Sequence, residues 1–348
     1  MDSLTQIVLG AGVGEALLGK KVGNRAILWG GIIATIPDLD VIPTIWMDAV
    51  DGISFHRGFS HSLLFCILAS PVFGWLLQKI YCQLDVTRRN WTVFSFWVLF
   101  THPILDCFTS WGTQLFWPLD YRVAFNTIFV VDPLYTVPFL LTIIWLMFYH
   151  RESKMRQRVN YAGLIVSSAY LALTVVNKQI VNDAFEEALK SQRMDYKRFA
   201  TKPTPLNNIL WFATIETKDG YYLGYYSFFD RDRNISFDYF EKQHQLLSAL
   251  PESEKLQTLL YITKGYYAIE RDENRLLLHD LRFGQATNWK TGKGDFVFTF
   301  FLEKKNDGES AELSITQKPR NTDDLTKEMF VMLWQRMLGM KDFKMQPL

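Results

Sequence analysis

Thiols are scarce in this chain. Among 348 residues there are three cysteines, Cys66, Cys82 and Cys107, and no two form a Cys-x-x-Cys pair. That excludes a zinc ribbon and provides no disulfide framework. A net charge of +1 gives no electrostatic reason to expect nucleic acid as a partner. No His-Glu-x-x-His string occurs, which removes the helical zinc-protease motif from consideration. Internal repeats and low-complexity tracts are also missing.

Charge is missing from one half of the chain. Of 37 Lys and Arg and 36 Asp and Glu residues, only 24 fall within residues 1–180. The same half carries apolar runs at 1–19, 26–36, 62–81, 91–105, 128–149 and 161–176, the first two shorter than usual for a span. The first run is no cleavable signal peptide, because its basic residues follow the apolar stretch. The expected fold is an α-helical membrane domain over 1–178, with about six transmembrane or partly spanning helices. A helical linker at 179–205 and a small soluble α+β domain at 206–348 would follow.

Basic residues predict the orientation. The stretches 20–25, 79–89 and 150–158 hold ten Lys or Arg, while the opposite loops hold Arg57 and Arg122. The positive-inside rule then places the amino terminus and the carboxy-terminal domain outside the cytoplasm. In that second domain, 179–199 reads as helix, ending near Pro203 and Pro205. Strands are expected at 209–216 and 221–228 around the Asp219-Gly220 turn, then at 266–271, 275–281, 295–303 and 312–317. Helical patterns fall at 237–250, 252–263 and 323–339, the last with Thr322 as N-cap and Asp323 and Asp324 in its first turn.

The ionisable residues of the apolar half sit in four strings. They are Pro37-Asp38-Leu39-Asp40, His56-Arg57-Gly58-Phe59-Ser60-His61, Thr101-His102-Pro103-Ile104-Leu105-Asp106, and Val131-Asp132-Pro133. Charge inside a membrane segment is costly, so such groups are functional candidates that need partners. At 1.5 Å per residue, Asp38 lies roughly 24 Å above Val22, and His102 and Asp106 roughly 18 and 24 Å above Asn90. Asp132 lies about 27 Å above His150, and His61 about 31 Å above Cys82. Against a hydrocarbon layer of about 30 Å, every candidate falls in the outer half or at the outer face.

His102 and Asp106 are four apart, on one helix face. Pooled, the strings offer a mixed nitrogen and oxygen set without thiolate, suited to zinc, manganese or iron and rich enough for two ions. Singly, each string reads as a cap, a turn or a buried ion pair; agreement on one level makes the metal reading the sharper one. Glu15, mid-span in the first run, fits a packing or hydrogen-bonding role, and Cys107 fits a small buried residue.

These strings, with the opening Met1-Asp2-Ser3-Leu4-Thr5-Gln6 and Trp111-Gly112-Thr113, resemble the bacterial YdjM-like family of membrane-bound metal-dependent hydrolases. That family is described as LexA-binding and inner-membrane-associated. The resemblance covers about residues 1–150 and implies metal-binding roles for Asp38, Asp40, His56, His61, His102, Asp106 and Asp132. Many members carry histidine where this chain has Gln6. A looser resemblance links the family to zinc-dependent phospholipase C and related nucleases. The implied localisation is the bacterial inner membrane.

The expected function is hydrolysis of a phosphoester, lipid or lipid-linked, at the outer leaflet by a metal-activated water. Asp40 or Asp106 would accept the water's proton (Asp132 being a third choice), and Arg57 would hold an anionic phosphate oxygen. The alternative is a metal-ion transporter or a metal-binding membrane protein without hydrolase activity, for which the inner halves of the spans offer few polar residues beyond Glu15.

Overall fold

A computed structural model describes the whole chain except residues 274, 286–295, 308–309, 320–326 and 342–348. Two compact units emerge. One holds residues 1–45, 55–177 and 205–208; the other holds 46–54, 178–204 and 209–348.

Helices of the first unit begin and end where the local chemistry directs. Asp2 caps α1 (Ser3–Val22) by accepting from the Thr5 amide at 3.1 Å, and Gly23, at φ 63°, ends it. Pro37 stops α2 (Asn24–Thr35), and the chain tightens into a 3-10 turn at Pro37–Asp40 before the short α3 (Val41–Thr44). Beyond α4 (Ala49–Phe55), which belongs to the second unit as far as Ser54, comes a second 3-10 turn, Phe59–His61. Ser62 caps α5 (Leu63–Ile80), and Thr87 with Asn90 forms a capping box on α6 (Arg88–Cys107). Asp132 caps α7 (Pro133–Leu146), and α8 (Lys154–Ser191) runs 38 residues without a break.

The core of this unit lies between α1, α2, α5 and α6, where Leu18, Ala26, Ile33, Cys66, Trp91, Phe94 and Leu99 are buried together. Cys107 is likewise a buried, free thiol. A second cluster, Val8, Ala11, Phe139, Ile143 and Leu146, joins α1 to α7.

Six helices answer to the six expected segments, but fewer than six are clear spans. By length and composition, three stretches among the described residues can cross a membrane: Asn24–Thr44, Leu63–Ile80 and Lys154–Ser191. Helix α7 has 14 residues and reaches only about 21 Å, short of a hydrocarbon layer of about 30 Å. Helices α1 and α6 are long enough, at 20 residues each, but Glu15, Lys20 and Lys21 in one and Arg88, Arg89, His102 and Asp106 in the other dilute their apolar character.

Two antiparallel four-stranded sheets build the second unit. Strands β1 (Arg198–Pro203), β2 (Leu210–Glu216), β3 (Gly220–Ser227) and β4 (Phe237–Glu241) pair in sequence order. So do β5 (Tyr267–Asp272), β6 (Arg275–Gln285), β7 (Phe296–Asp307) and β8 (Ser310–Gln317). Val181, Phe185 and Leu189 of α8 pack on Trp211, Ala213 and Ile215 of the first sheet. Leu256 and Leu259 of α9 (Glu254–Ile262) pack on Leu278, Phe300 and Ile315 of the second. Helix α10 (Lys327–Met337) buries Leu333 and Met337 against Leu210.

Two expectations change here. The helical pattern at 237–250 resolves into β4 and a 3-10 turn, His244–Ala249, because Phe237–Glu241 finds a partner strand in β3. The helix expected to run to 199 ends at Ser191, and Arg198–Pro203 becomes an edge strand that tolerates Pro203 at its end. The capping residues expected at Thr322, Asp323 and Asp324 lie outside the described residues.

Candidate metal centre

Four side chains from three elements converge in the first unit. Asp38 comes from the turn after α2, His61 from the turn before α5, and His102 and Asp106 from successive turns of α6, which continues through Pro103. One ligand atom from each lies within 4.8 Å of all the others. His61 Nε2 is 3.3 Å from Asp38 Oδ1 and 3.5 Å from Asp106 Oδ2. His102 Nε2 is 3.5 Å from Asp38 Oδ1 and 3.8 Å from Asp106 Oδ2. His61, His102 and Asp106 are fully buried; the Asp38 side chain keeps 17% exposure and marks the open side.

The second nitrogen of each imidazole is already committed. His102 Nδ1 lies 2.6 Å from the Ala34 carbonyl oxygen, which can only accept, so the ring proton sits on Nδ1. His61 Nδ1 faces Ser60 Oγ at 3.0 Å and Asp40 Oδ2 at 3.3 Å. Ser60 donates to Asp40 Oδ2 at 2.7 Å, which leaves its oxygen free to accept from His61. In their neutral forms both rings therefore present an Nε2 lone pair inward, and these two nitrogens stand 3.1 Å apart. Two lone pairs and two carboxylate oxygens pointing at one volume repel unless a cation or a proton lies among them. That donor set fits a divalent metal: two imidazoles and two carboxylates, each imidazole oriented from behind.

A family model, the YdjM inner membrane protein, matches residues 1–181 and so contains every one of these groups. The chain belongs to the YdjM inner membrane protein family. It is similar over 240 residues, at 26% identity, to an uncharacterized protein, YfhP, of Bacillus subtilis (strain 168), covering 64% of this chain and 68% of that one. Similarity at 33% identity over 101 residues links it to the inner membrane protein YbcI of Escherichia coli (strain K12), covering 29% and 57% of the two chains. No solved structure matches.

Within this YdjM region the other expected site residues stand around the cluster or apart from it. Asp40 lies behind His61: Oδ1 is 2.7 Å from His56 Nδ1, and Oδ2 accepts from Ser60 and from the Arg57 amide at 3.0 Å. His56 stays outside the four, its side chain 30% exposed. Arg57 is turned inward at φ 63°; Nη1 donates to Thr109 Oγ1 at 2.9 Å. Its Nε is 3.2 Å from Asp106 Oδ2, an ion pair without the direction of a hydrogen bond. Asp132 caps α7 through the Leu134 and Tyr135 amides and accepts from the Tyr170 hydroxyl at 2.9 Å. Glu15 forms a buried two-pronged pair with Arg156, both bonds at 2.6 Å, as fits a packing role.

Further groups surround the four, and one of them, Gln6, stands at a position that the family resemblance had marked. Gln6 donates to Asp106 Oδ1 at 3.1 Å and to the His102 carbonyl, while its own Oε1 is buried without a partner. The Met1 nitrogen also contacts Asp106. Ser60 lies within a motif string but had been given no role of its own, and the Ala34 carbonyl carried no sequence signal.

Proposed function

We propose that this membrane protein is a metal-dependent hydrolase of a phosphoester, lipid or lipid-linked, with its centre towards the outer leaflet and its carboxy-terminal domain extracytoplasmic. The observation that carries the reading is the meeting of two carbonyl- and carboxylate-backed imidazoles with Asp38 and Asp106. These four would hold the ion, zinc by ligand type, with manganese or iron as other fits. Such an ion supplies Lewis acidity and a water that ionises near neutral pH.

The chain's own groups do the rest. Asp40 and the Ala34 carbonyl fix the tautomer and tilt of the two ligand rings. Arg57 offsets the charge on the buried Asp106 from the side. Asp38, the one partly exposed ligand of the four, borders the path by which a substrate would enter. The engagement of Glu15 by Arg156 favours hydrolysis over ion transport, because the acid that a path through the inner half would use is neutralised.

The test is metal content of the purified full chain in detergent, beside His102→Ala and Asp106→Ala. Stoichiometric zinc, manganese or iron in the parent and its loss in both folded variants is the expected result; equal content in all three overturns the reading. A panel of phosphodiester and phospholipid substrates, with ion flux in proteoliposomes as the contrast, then separates hydrolase from transporter.

A further inference from the structure

His56 differs from the other two imidazoles of the site. Its Nδ1 is held by Asp40 Oδ1 at 2.7 Å, and its backbone carbonyl accepts from Arg122 at 3.0 Å. Ring and main chain are thus both anchored, yet 30% of the side chain remains open, against none for His61 and His102. Its ring meets His61 edge-on at a centroid distance of 5.7 Å, close to the cluster but outside it. Among the described residues none bonds His56 Nε2. A carboxylate behind one nitrogen of a part-exposed imidazole that stands next to a cluster of buried ligands is the arrangement that lets an imidazole pass a proton to a substrate.

We propose that His56 is the proton donor to the leaving group and that Asp40 is its positioning residue, so that neither has to ligate the ion. The inference rests on the hydrolase reading above. In the step, water oxygen bonds to phosphorus and the phosphorus–oxygen bond to the alcohol breaks, its electron pair going to the alcohol oxygen. That oxygen takes the proton from His56 Nε2, and the proton released by the attacking water restores the imidazole. Asp40 serves both halves of the centre: one oxygen orients His56, the other orients His61.

The leaving group supplies the test. A p-nitrophenolate departs without help, whereas an alkoxide needs a proton. We expect His56→Gln, in the full chain, to keep the parent's bound metal. It should lose about 100-fold or more in rate on an alkyl phosphodiester but less than about 10-fold on the p-nitrophenyl ester of the same phosphate. Added imidazole should restore part of the alkyl rate to His56→Ala. Loss of metal in His56→Gln, or equal losses on the two esters, overturns the proposal while leaving the hydrolase reading in place. A metal-loaded parent that cleaves neither ester overturns both.

Discussion

Asp38 and Asp40 are two residues apart on one 3-10 turn and face different partners: one meets two Nε2 atoms, the other meets His56 Nδ1 and the far side of His61. Substitution should separate them. Asp38→Asn is expected to abolish metal retention through dialysis. Asp40→Asn should leave the stoichiometry at saturating metal unchanged but weaken affinity about 10–100-fold, the usual effect of losing a carboxylate behind a ligand histidine. Chelator competition measures both. Outright loss of the ion in Asp40→Asn would make Asp40 a direct ligand, as the family resemblance implied.

Among the elements, α1 and α2 are in close backbone contact at Gly10 and Gly30. A Cβ on Gly30 would lie 2.2 Å from the Gly10 carbonyl oxygen, and one on Gly10 would lie 2.4 Å from the Gly30 carbonyl oxygen. Backbone cannot yield there as a flexible side chain would, so Gly30→Ala should separate the helices at about 1–3 kcal/mol. Helix α2 leads directly into the turn that presents Asp38, and its Ala34 carbonyl holds His102. The substitution should therefore lower both the thermal midpoint in detergent and the affinity for metal. Leu28→Ala, at an exposed position of the same helix, should change neither. A Gly30→Ala protein with unaltered metal affinity would mean that α2 does not set the position of Asp38.

Across the whole molecule the two units differ in what they bury. The second unit encloses Lys202, whose amine donates to the Arg282 carbonyl oxygen at 2.6 Å between β1 and β6. Burial, reinforced by the nearby Arg282 guanidinium, pushes its pKa well below the usual 10.5. Between that lowered value and 10.5 the unfolded chain binds a proton that the folded chain does not, so stability rises with pH in that window. The slope from this one group is at most about 1.4 kcal/mol per pH unit. Lys202→Met should flatten the pH dependence of the unit's thermal unfolding between pH 7 and 9. An unchanged slope would show that another group sets it.

The amino-acid sequence alone determined the division into an apolar helical half and a charged, strand-rich half, because both follow from local composition and period. It also marked the residue types that meet in the cluster, since a charge is tolerated in an apolar run only with a partner. Strand β1 and strand β4 escaped it, because their pairing is decided by a neighbouring strand and not by their own pattern. Only the tertiary structure decided which carboxylates meet which nitrogens. That choice turns on helix rotation and turn geometry at the scale of an ångström, which left Asp132 to its helix cap and brought Asp38 to two imidazoles. Seven candidates were readable from chemistry; the inner four were selected by the angle at which α2, α6 and two short turns come together.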